Sequence, residues 1–245
     1  MSAGDGVPVI ELIGVEKRYG RVRAVERVDL TVRRGELVGL IGHNGAGKST
    51  CLGMILGLVR PTSGQVRVCG RDALAAPGEA RRHLGAVPEN PAVFEYLTAR
   101  EHLELVRDVR GGGDLDAALA LAGLDVDADR LIREYSQGMR RKVAIAAALL
   151  GAPDVVVLDE AINGLDPPSA ARVKAALRAH ADAGGAVLLS THVVETVGAV
   201  ADRVVMLAHG RVVEDVAAAS LAPGELERLF LERIEATRDR GAPGA

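Results

Sequence analysis

A glycine-rich stretch that holds a lysine and a hydroxyl residue carries the strongest chemical signal in this 245-residue sequence. It fits the pattern G-x-x-x-x-G-K-[ST] of phosphate-binding loops, in which glycines let the backbone N–H groups wrap a polyphosphate. The lysine would reach the terminal phosphates, the hydroxyl would bind Mg²⁺, and the helix that follows would add positive potential. The sequence therefore predicts a nucleotide site. Its residues are Gly42, His43, Asn44, Gly45, Ala46, Gly47, Lys48, Ser49 and Thr50.

Two carboxylates at the end of an apolar run can supply hydrolytic chemistry. Asp159 and Glu160 directly follow residues 155–158, a run typical of a buried strand. Asp159 can hold Mg²⁺ through water, and Glu160 can orient or deprotonate the water that attacks a γ-phosphate. A strand that ends in Asp-Glu is by itself more often followed by a solvated loop. Beside a phosphate loop, it predicts a hydrolytic site.

A histidine follows another apolar run. His192 comes after the predicted strand at 186–190, and a histidine in that position is more often structural than functional. Open α/β sheets, however, bind ligands at the edge formed by the carboxyl ends of their strands. The strand order would bring His192 to the same edge as Lys48 and Glu160, where its ring could contact the γ-phosphate.

These groups depend on a sheet whose strands alternate with helices. Thr98 and Glu101 form a possible capping box, and the glycines at 111–113 should separate two helices. We predict an α/β core sheet that is buried on both faces and interrupted by a helical insert at about 90–150. The predicted strands cover residues 9–15, 25–32, 37–41, 65–69, 155–158 and 186–190, with short ones near 204 and 212. The predicted helices include 49–58, 137–150 and one after Pro168.

Composition narrows the functional class. The net charge of -3 argues against a sequence-independent nucleic-acid binder, and 2% aromatic residues leave no platform for stacking bases. Only two cysteines, Cys51 and Cys69, and the lack of a secretory leader argue against a disulfide scaffold. The longest apolar stretch, 143–152, is far short of the ~20 residues of a bilayer span. We expect no nucleic-acid partner and no unaided crossing of a membrane.

With these motifs the chain resembles the ATP-binding subunit of an ABC (ATP-binding cassette) transporter over about residues 9–235. Residues 135–139, Tyr-Ser-Gln-Gly-Met, resemble the family signature LSGGQ, and residues 163–166, Asn-Gly-Leu-Asp, resemble its D-loop. Tyr19 matches the aromatic residue that stacks on adenine, and Glu89 stands where the family usually has its Q-loop glutamine. The resemblance implies that these further residues serve the nucleotide or its metal ion: Tyr19, Glu89, Ser136, Gln137, Gly138, Met139 and Asp166.

The resemblance also implies an architecture. The expected fold is that of an ABC ATPase of the P-loop NTPase class, with a mostly parallel core sheet, an N-terminal antiparallel β region and a helical subdomain. We expect one domain over residues 9–235, a flexible N-terminus at 1–8 and a flexible tail at 236–245.

The signature motif implies two subunits. Ser136 and the helix N-terminus behind it form an anion site in a chain that already has one phosphate cradle. In the family, ATP lies between the phosphate loop of one subunit and the signature of the other. We therefore expect ATP and Mg²⁺ as cofactors and a dimer with a second copy or with a paralogous subunit. A separate integral-membrane permease would place the chain at the cytoplasmic face of the cell membrane, as a peripheral Mg²⁺-dependent ATPase.

Three departures from the family pattern refine this hypothesis. Glu89 replaces a neutral glutamine, Gln137 and Met139 alter the signature, and Ala-Ile at 161–162 replaces the usual Pro-Thr. Glu89, the altered signature and the tail at 226–232 together resemble the drug- and antibiotic-export branch. We therefore expect solute export.

Several alternatives remain at this point. An ABC ATPase that acts on ribosomes or DNA typically has two cassettes or a long coiled coil, neither of which is present. A GTPase should have Asn-Lys-x-Asp, which is absent, and an inactive interaction module would not need Lys48, Glu160 and His192 together. Tyr19 could instead be a half-buried core residue and Ser136 an ordinary helix cap. Phe94 and Tyr96 either form a docking surface for the permease or pin the insert to the sheet.

Overall fold

The computed structural model describes residues 6–222 and 224–240. Residues 1–5 and 241–245, which belong to the predicted flexible ends, lie outside the described residues. The strands, in chain order, are β1 (Pro8–Tyr19), β2 (Val22–Arg33), β3 (Leu37–Ile41), β4 (Ser63–Val68), β5 (Arg71–Asp72), β6 (Leu84–Val87), β7 (Val155–Asp159), β8 (Ala186–Thr191), β9 (Arg203–Ala208) and β10 (Arg211–Ala217). The helices are α1 (Lys48–Ile55), α2 (Pro77–Arg82), α3 (Ala99–Arg110), α4 (Leu115–Ala122), α5 (Gln137–Leu149), α6 (Pro167–Asp182), α7 (Val194–Gly198) and α8 (Glu225–Arg240).

The larger sheet positions the chemistry. Its strand order is β10-β9-β3-β8-β7-β6, and all neighbouring pairs are parallel except β10 with β9. Every residue of β3, β7 and β8 is buried, as expected for a sheet covered on both faces. Because β3, β8 and β7 are adjacent and parallel, their carboxyl ends meet at one edge.

A smaller antiparallel sheet, of order β2-β1-β4-β5, covers one side of the core. The β1–β2 hairpin is longer than the predicted strands at 9–15 and 25–32, because pairing continues to Tyr19 opposite Val22. Gly20 takes a φ of 57° in the tight turn between them. The predicted parallel core and antiparallel N-terminal region are confirmed.

The predicted helical insert forms its own layer. α3 begins with the capping box of Thr98 and Glu101, and Gly111 ends it with a φ of 79°. Helices α3, α4 and α5 enclose a separate apolar cluster, which includes Leu103, Leu119 and Val143. Because α5 also packs against β6 and α6, it joins this layer to the sheet.

The structure corrects several boundaries and adds elements that the sequence did not predict. α1 ends at Ile55 rather than 58, where Gly57 turns the chain with a φ of 65°. β6 was missed because it has four residues and a glycine: a Cβ on Gly85 would lie 2.0 Å from the carbonyl oxygen of Ala148. α2, β5 and α7 were missed as well, and α8 continues to Arg240, past the predicted boundary at 235.

Within the described ranges, no helix combines the length and the apolar character needed to cross a bilayer.

Candidate nucleotide-binding site

The glycine-rich loop runs from the end of β3 into α1, as predicted. A Cβ on Gly42 would lie 2.4 Å from the carbonyl oxygen of Leu207, and one on Gly47 would lie 2.5 Å from that of Ala24. Gly45 has a φ of 82° with open space beside it. The first and last glycines are thus required by packing, whereas Gly45 leaves the loop open on the side where a ligand would approach.

Lys48, the first residue of α1, is buried inside this loop. Its Nζ donates hydrogen bonds to the carbonyl oxygens of Gly42 (2.7 Å) and His43 (3.4 Å) and pairs with Oε1 of Glu160 at 3.3 Å. Only 5% of the residue is exposed. An ammonium held in this way is surrounded by oxygen atoms, which phosphate oxygens could replace one for one.

Glu160 follows β7 with a φ of 51°, an uncommon conformation for a residue with a side chain. Its backbone N–H donates to the carbonyl oxygen of Ser190 at 3.1 Å. Oε2 of its carboxylate lies 3.0 Å from Nδ1 of His192 and 2.5 Å from Nδ2 of Asn163. Strand order therefore brings Lys48, Glu160 and His192 together, as the sequence predicted.

Asp159 ends β7 with a buried side chain. Its Oδ1 accepts a hydrogen bond from the hydroxyl of Ser190 on β8, which fixes the carboxylate at the sheet edge. Ser49, by contrast, is exposed at the start of α1. The hydroxyl of Ser49 and the carboxylate of Asp159 could both serve as oxygen ligands of a metal ion, and they come from neighbouring elements at the same edge of the sheet.

An open cleft of about 470 Å³ lies in front of the loop. Glu89 lines this cleft together with the loop, so the side chain that replaces the Q-loop glutamine faces the predicted site. The cleft is lined by Val22, Arg23, Ala24, Asn44, Gly45, Gly47, Lys48, Ser49, Thr50, Glu89 and Glu160.

Tyr19 stands at the end of β1, opposite Val22 of the cleft wall. Half of the residue is exposed, and Nζ of Lys17 lies 4.8 Å from the ring centroid. Tyr19 is therefore not a core side chain, and it pairs with a cleft residue without lining the cleft itself.

The signature residues and Asp166 do not line this cleft within the described part of the chain. Ser136 is exposed and caps α5 by accepting a hydrogen bond from the N–H of Met139 at 3.2 Å. Asp166 caps α6, where hydrogen bonds from the side chain and the N–H of Ser169 lower the pKa of its carboxyl. Ser136 thus caps a helix N-terminus that lies apart from the cleft, and the predicted second anion site would be there.

Two residues near the Glu160 carboxylate were not among the predicted site residues. Asn163 donates to Glu160, and Arg141 on α5 donates to the backbone oxygen atoms of Asn163 and Glu89. The Asn163 contact has a local signal, an amide three residues after the carboxylate. The Arg141 contacts join distant segments and leave no local signal.

Comparison with known proteins agrees with this geometry. A family model described as ABC transporter matches residues 25–163, more than half of the chain. The chain belongs to this family. It is 39% identical over 212 residues to the daunorubicin/doxorubicin resistance ATP-binding protein DrrA of Streptomyces peucetius, which covers 84% of this chain and 64% of that protein. It is 31% identical to the bacitracin transport ATP-binding protein BcrA of Bacillus licheniformis, over 85% of this chain and 69% of that protein.

Solved ABC cassettes share the fold. The ATP-binding subunit of an ABC transporter superposes with a TM-score of 0.85 at 31% identity, covering 92% of this chain and 99% of that one. A cassette solved as a dimer in a post-hydrolysis state with ADP and Pi gives a TM-score of 0.78 at 26% identity, covering 85% and 98%. The predicted family and fold are confirmed. The chain spans about two-thirds of the length of the curated relatives.

Proposed function

We propose that this chain binds and hydrolyses ATP and thereby powers the export of a solute through a separate membrane permease. The observation that carries the proposal is the single cleft in which Lys48, Ser49, Glu89 and Glu160 meet. Its chemistry is that of phosphoryl transfer to water, which needs positive charge at the phosphates and an acceptor for the water's proton.

Lys48 would bind the terminal phosphates. Its ammonium would exchange the carbonyl oxygen of Gly42 and the carboxylate of Glu160 for phosphate oxygens, which are also negatively charged or strongly polar acceptors. Release from Lys48 would leave the Glu160 carboxylate free to accept the proton of the attacking water. His192, which is half exposed, would stay beside that carboxylate and reach the γ-phosphate.

The donor set at the sheet edge fits Mg²⁺, which prefers hard oxygen ligands. The hydroxyl of Ser49 and the carboxylate of Asp159 would hold the ion, and Glu89, which lines the same cleft as Ser49, would add a carboxylate. When bound, Mg²⁺ neutralises phosphate charge. Hydrogen bonding to Ser190 keeps Asp159 oriented toward this edge.

The remaining site residues would act at a dimer interface. Tyr19 would stack on the adenine at the mouth of the cleft. Ser136, Gln137, Gly138, Met139 and Asp166 would complete the nucleotide site of a second subunit, either a second copy or a paralogue. The dimeric cassette among the solved structures supports this proposal.

The names of the curated relatives support an export role and a membrane partner. One is a drug resistance ATP-binding protein and the other a bacitracin transport ATP-binding protein. The chain would work as a peripheral subunit at the cytoplasmic face of the cell membrane. Neither name points to ribosomes or DNA.

The test is the rate of phosphate release from Mg²⁺-ATP by the wild-type chain and by Lys48→Ala. Loss of the ammonium removes the main positive charge at the phosphates, so we expect turnover to fall on the order of 100-fold and ATP binding to weaken. Arg82→Ala removes an exposed arginine of α2 that does not line the cleft and should leave the rate unchanged. Undiminished turnover in Lys48→Ala would refute the proposed site.

A further inference from the structure

Asn163 makes the closest contact to the Glu160 carboxylate. Its Nδ2 donates to Oε2 at 2.5 Å, compared with 3.0 Å for the His192 ring and 3.3 Å between Lys48 and the other oxygen. Asn163 lies three residues after Glu160, and its backbone N–H donates to the carbonyl oxygen of Glu160 at 3.2 Å. The turn between them therefore sets where the amide stands.

A buried threonine on the neighbouring strand fixes which end of the amide faces the carboxylate. The hydroxyl of Thr191 donates to Oδ1 of Asn163 at 3.3 Å, so Nδ2 is the atom directed at Glu160. Thr191 is 1% exposed, and its own Oγ1 accepts a hydrogen bond from the N–H of Val193 at 3.0 Å. Thr191 of β8 thus holds the amide of Asn163, and that amide donates to Glu160, the residue after β7.

Arg141 holds the backbone of Asn163 from the opposite side. Its Nη1 donates to the carbonyl oxygen of Asn163, and its Nη2 donates to that of Glu89 at 3.1 Å. Arg141 belongs to α5, the helix that Ser136 caps. A single guanidinium therefore joins this helix to both segments that face the cleft.

We propose that Asn163 is a positioning residue for the Glu160 carboxylate and that Arg141 keeps Asn163 in register with it. The inference rests on the proposed role of Glu160 as proton acceptor. Lys48 pairs with Oε1, whereas Asn163 donates to Oε2, so this hydrogen bond would persist when Lys48 turns to the phosphates. It holds the carboxylate toward the cleft and supports the left-handed backbone of Glu160.

The ionisable side chains near Glu160 are Lys48 of α1, which pairs with Oε1, His192 after β8, the adjacent Asp159, and Glu89, which lines the same cleft. Asn163→Asp keeps the side-chain shape but replaces the N–H donor of the closest contact by a carboxylate oxygen. This substitution therefore removes the donated hydrogen bond without opening a cavity.

The experiment measures kcat, KM and the affinity of a fluorescent ATP analogue for the full chain. For Asn163→Ala we expect kcat to fall roughly 10- to 100-fold, with KM and analogue affinity within about twofold of wild type. For Asn163→Asp, which keeps the shape but loses the N–H donor, we expect a similar loss of kcat, again with KM and analogue affinity close to wild type.

Arg141→Ala should lower kcat in the same direction, and the double variant Arg141→Ala/Asn163→Ala should lose no more than the worse single variant, because both act through one contact. Arg107→Ala, which removes a partly exposed arginine from α3, should match wild type. Multiplicative losses in the double variant would overturn the role of Arg141. A wild-type kcat in Asn163→Ala or Asn163→Asp, or a loss of analogue affinity that matches the loss of kcat, would overturn the role of Asn163.

Glu160→Gln separates this inference from the proposed function. If Glu160→Gln hydrolyses ATP at the wild-type rate, the proposed function fails. If Glu160→Gln is inactive while the Asn163 and Arg141 variants keep their full rates, only the positioning inference fails.

Discussion

Glu160 adopts a left-handed backbone conformation that costs a non-glycine residue about 1–2 kcal/mol. The contacts of its carboxylate with Lys48, Asn163 and His192 offset that cost and aim the side chain into the cleft. Strain of this kind persists only where the surroundings hold the residue firmly. Four other described non-glycine residues also have a positive φ, but of these five residues only Glu160 lines the cleft.

A second group of charged residues serves stability rather than chemistry. Asp154, just before β7, accepts a hydrogen bond from Nδ1 of His83 at 2.6 Å and pairs with Arg34. Cys69 has its sulfur within 4.8 Å of this cluster. Because both carboxylate oxygens already have cationic or N–H partners, we interpret the cluster as a junction between the two sheets.

The hydrogen bond from His83, helped by Arg34 and opposed by partial burial, lowers the pKa of the Asp154 carboxyl from its ordinary 3.8. A depressed folded-state pKa stabilises the fold above the unfolded value, and this contribution is lost as the pH falls through the folded-state pKa. We expect Asp154→Asn to destabilise the protein by roughly 1–2 kcal/mol at pH 7 and by progressively less below about pH 4. Thermal unfolding at several pH values measures this difference.

Asp116→Asn, at a highly exposed carboxylate that lies 3.7 Å from Arg100, is the matched control and should change stability little at any pH. A constant gap between Asp154→Asn and wild type from pH 7 to pH 3 would contradict the assigned ionisation.

The sequence predicted those site residues that belong to local sequence patterns. Lys48, Ser49, Asp159 and Glu160 follow apolar runs at fixed positions, and strand adjacency then brings them together. Arg141 could not be predicted, because its two acceptors lie 22 and 52 residues away in the chain. Contacts made through tertiary packing leave no such pattern.

Helix α5, which Ser136 caps, is linked by hydrogen bonds to the segment that carries the exposed residues Phe94 and Tyr96. Nη1 of Arg140 lies 2.5 Å from Oε1 of Glu95, and its Nη2 donates to the carbonyl oxygen of Arg133. The N–H of Arg133 in turn donates to the carbonyl oxygen of Glu95 at 2.9 Å. The backbone at Glu95 is therefore tied to the start of α5.

The neighbouring rings point outward. Phe94 is 59% exposed, with its ring centroid 5.6 Å from that of His102, and Tyr96 is 81% exposed. A fixed backbone with exposed aromatic side chains is suited to anchor a partner. Of the two alternatives for these rings, this geometry favours a docking surface for the permease, and it disfavours a core role for Tyr96.

We expect Tyr96→Ala and Phe94→Ala each to reduce recovery of the complex with a co-expressed permease several-fold, because aromatic anchors typically contribute more than about 1 kcal/mol each. The melting temperature of the isolated subunit should stay within about 2 °C of wild type, as for other surface substitutions. Val126→Ala, at a 97% exposed residue of the same subdomain, is the control. A falling melting temperature with an intact complex would assign these rings to the core.

Elements with strong periodicity were predictable, and short or packing-dependent ones were not. β3 was predicted with its observed bounds because a run of five residues typical of a buried strand precedes the loop. All five residues are buried in the structure. β6 exists because it pairs with β7 and because Gly85 admits the backbone of α5, and neither condition is visible in four residues. The length of β1 likewise depends on pairing with β2.

The proposed phosphate cradle and the helix N-terminus that Ser136 caps do not share a cleft in the described part of the molecule. Lys48 and the glycine loop face one cleft, whereas Ser136 caps a helix elsewhere and is exposed. A second copy, placed with its α5 against this cleft, would use both features. ATP binding and association of two subunits should therefore be coupled, and hydrolysis should release them.

The central claim is that Glu160 accepts the proton of the attacking water at an ATP site completed by a second subunit. Size-exclusion chromatography of Glu160→Gln, with and without ATP, tests it most directly, because glutamine preserves the shape of the side chain but cannot accept the proton. We predict a monomer without nucleotide, a stable dimer with ATP retained and unhydrolysed, and a monomer again for Lys48→Ala/Glu160→Gln under the same conditions. A monomer at saturating ATP, or release of phosphate by the Glu160→Gln protein, would contradict the account.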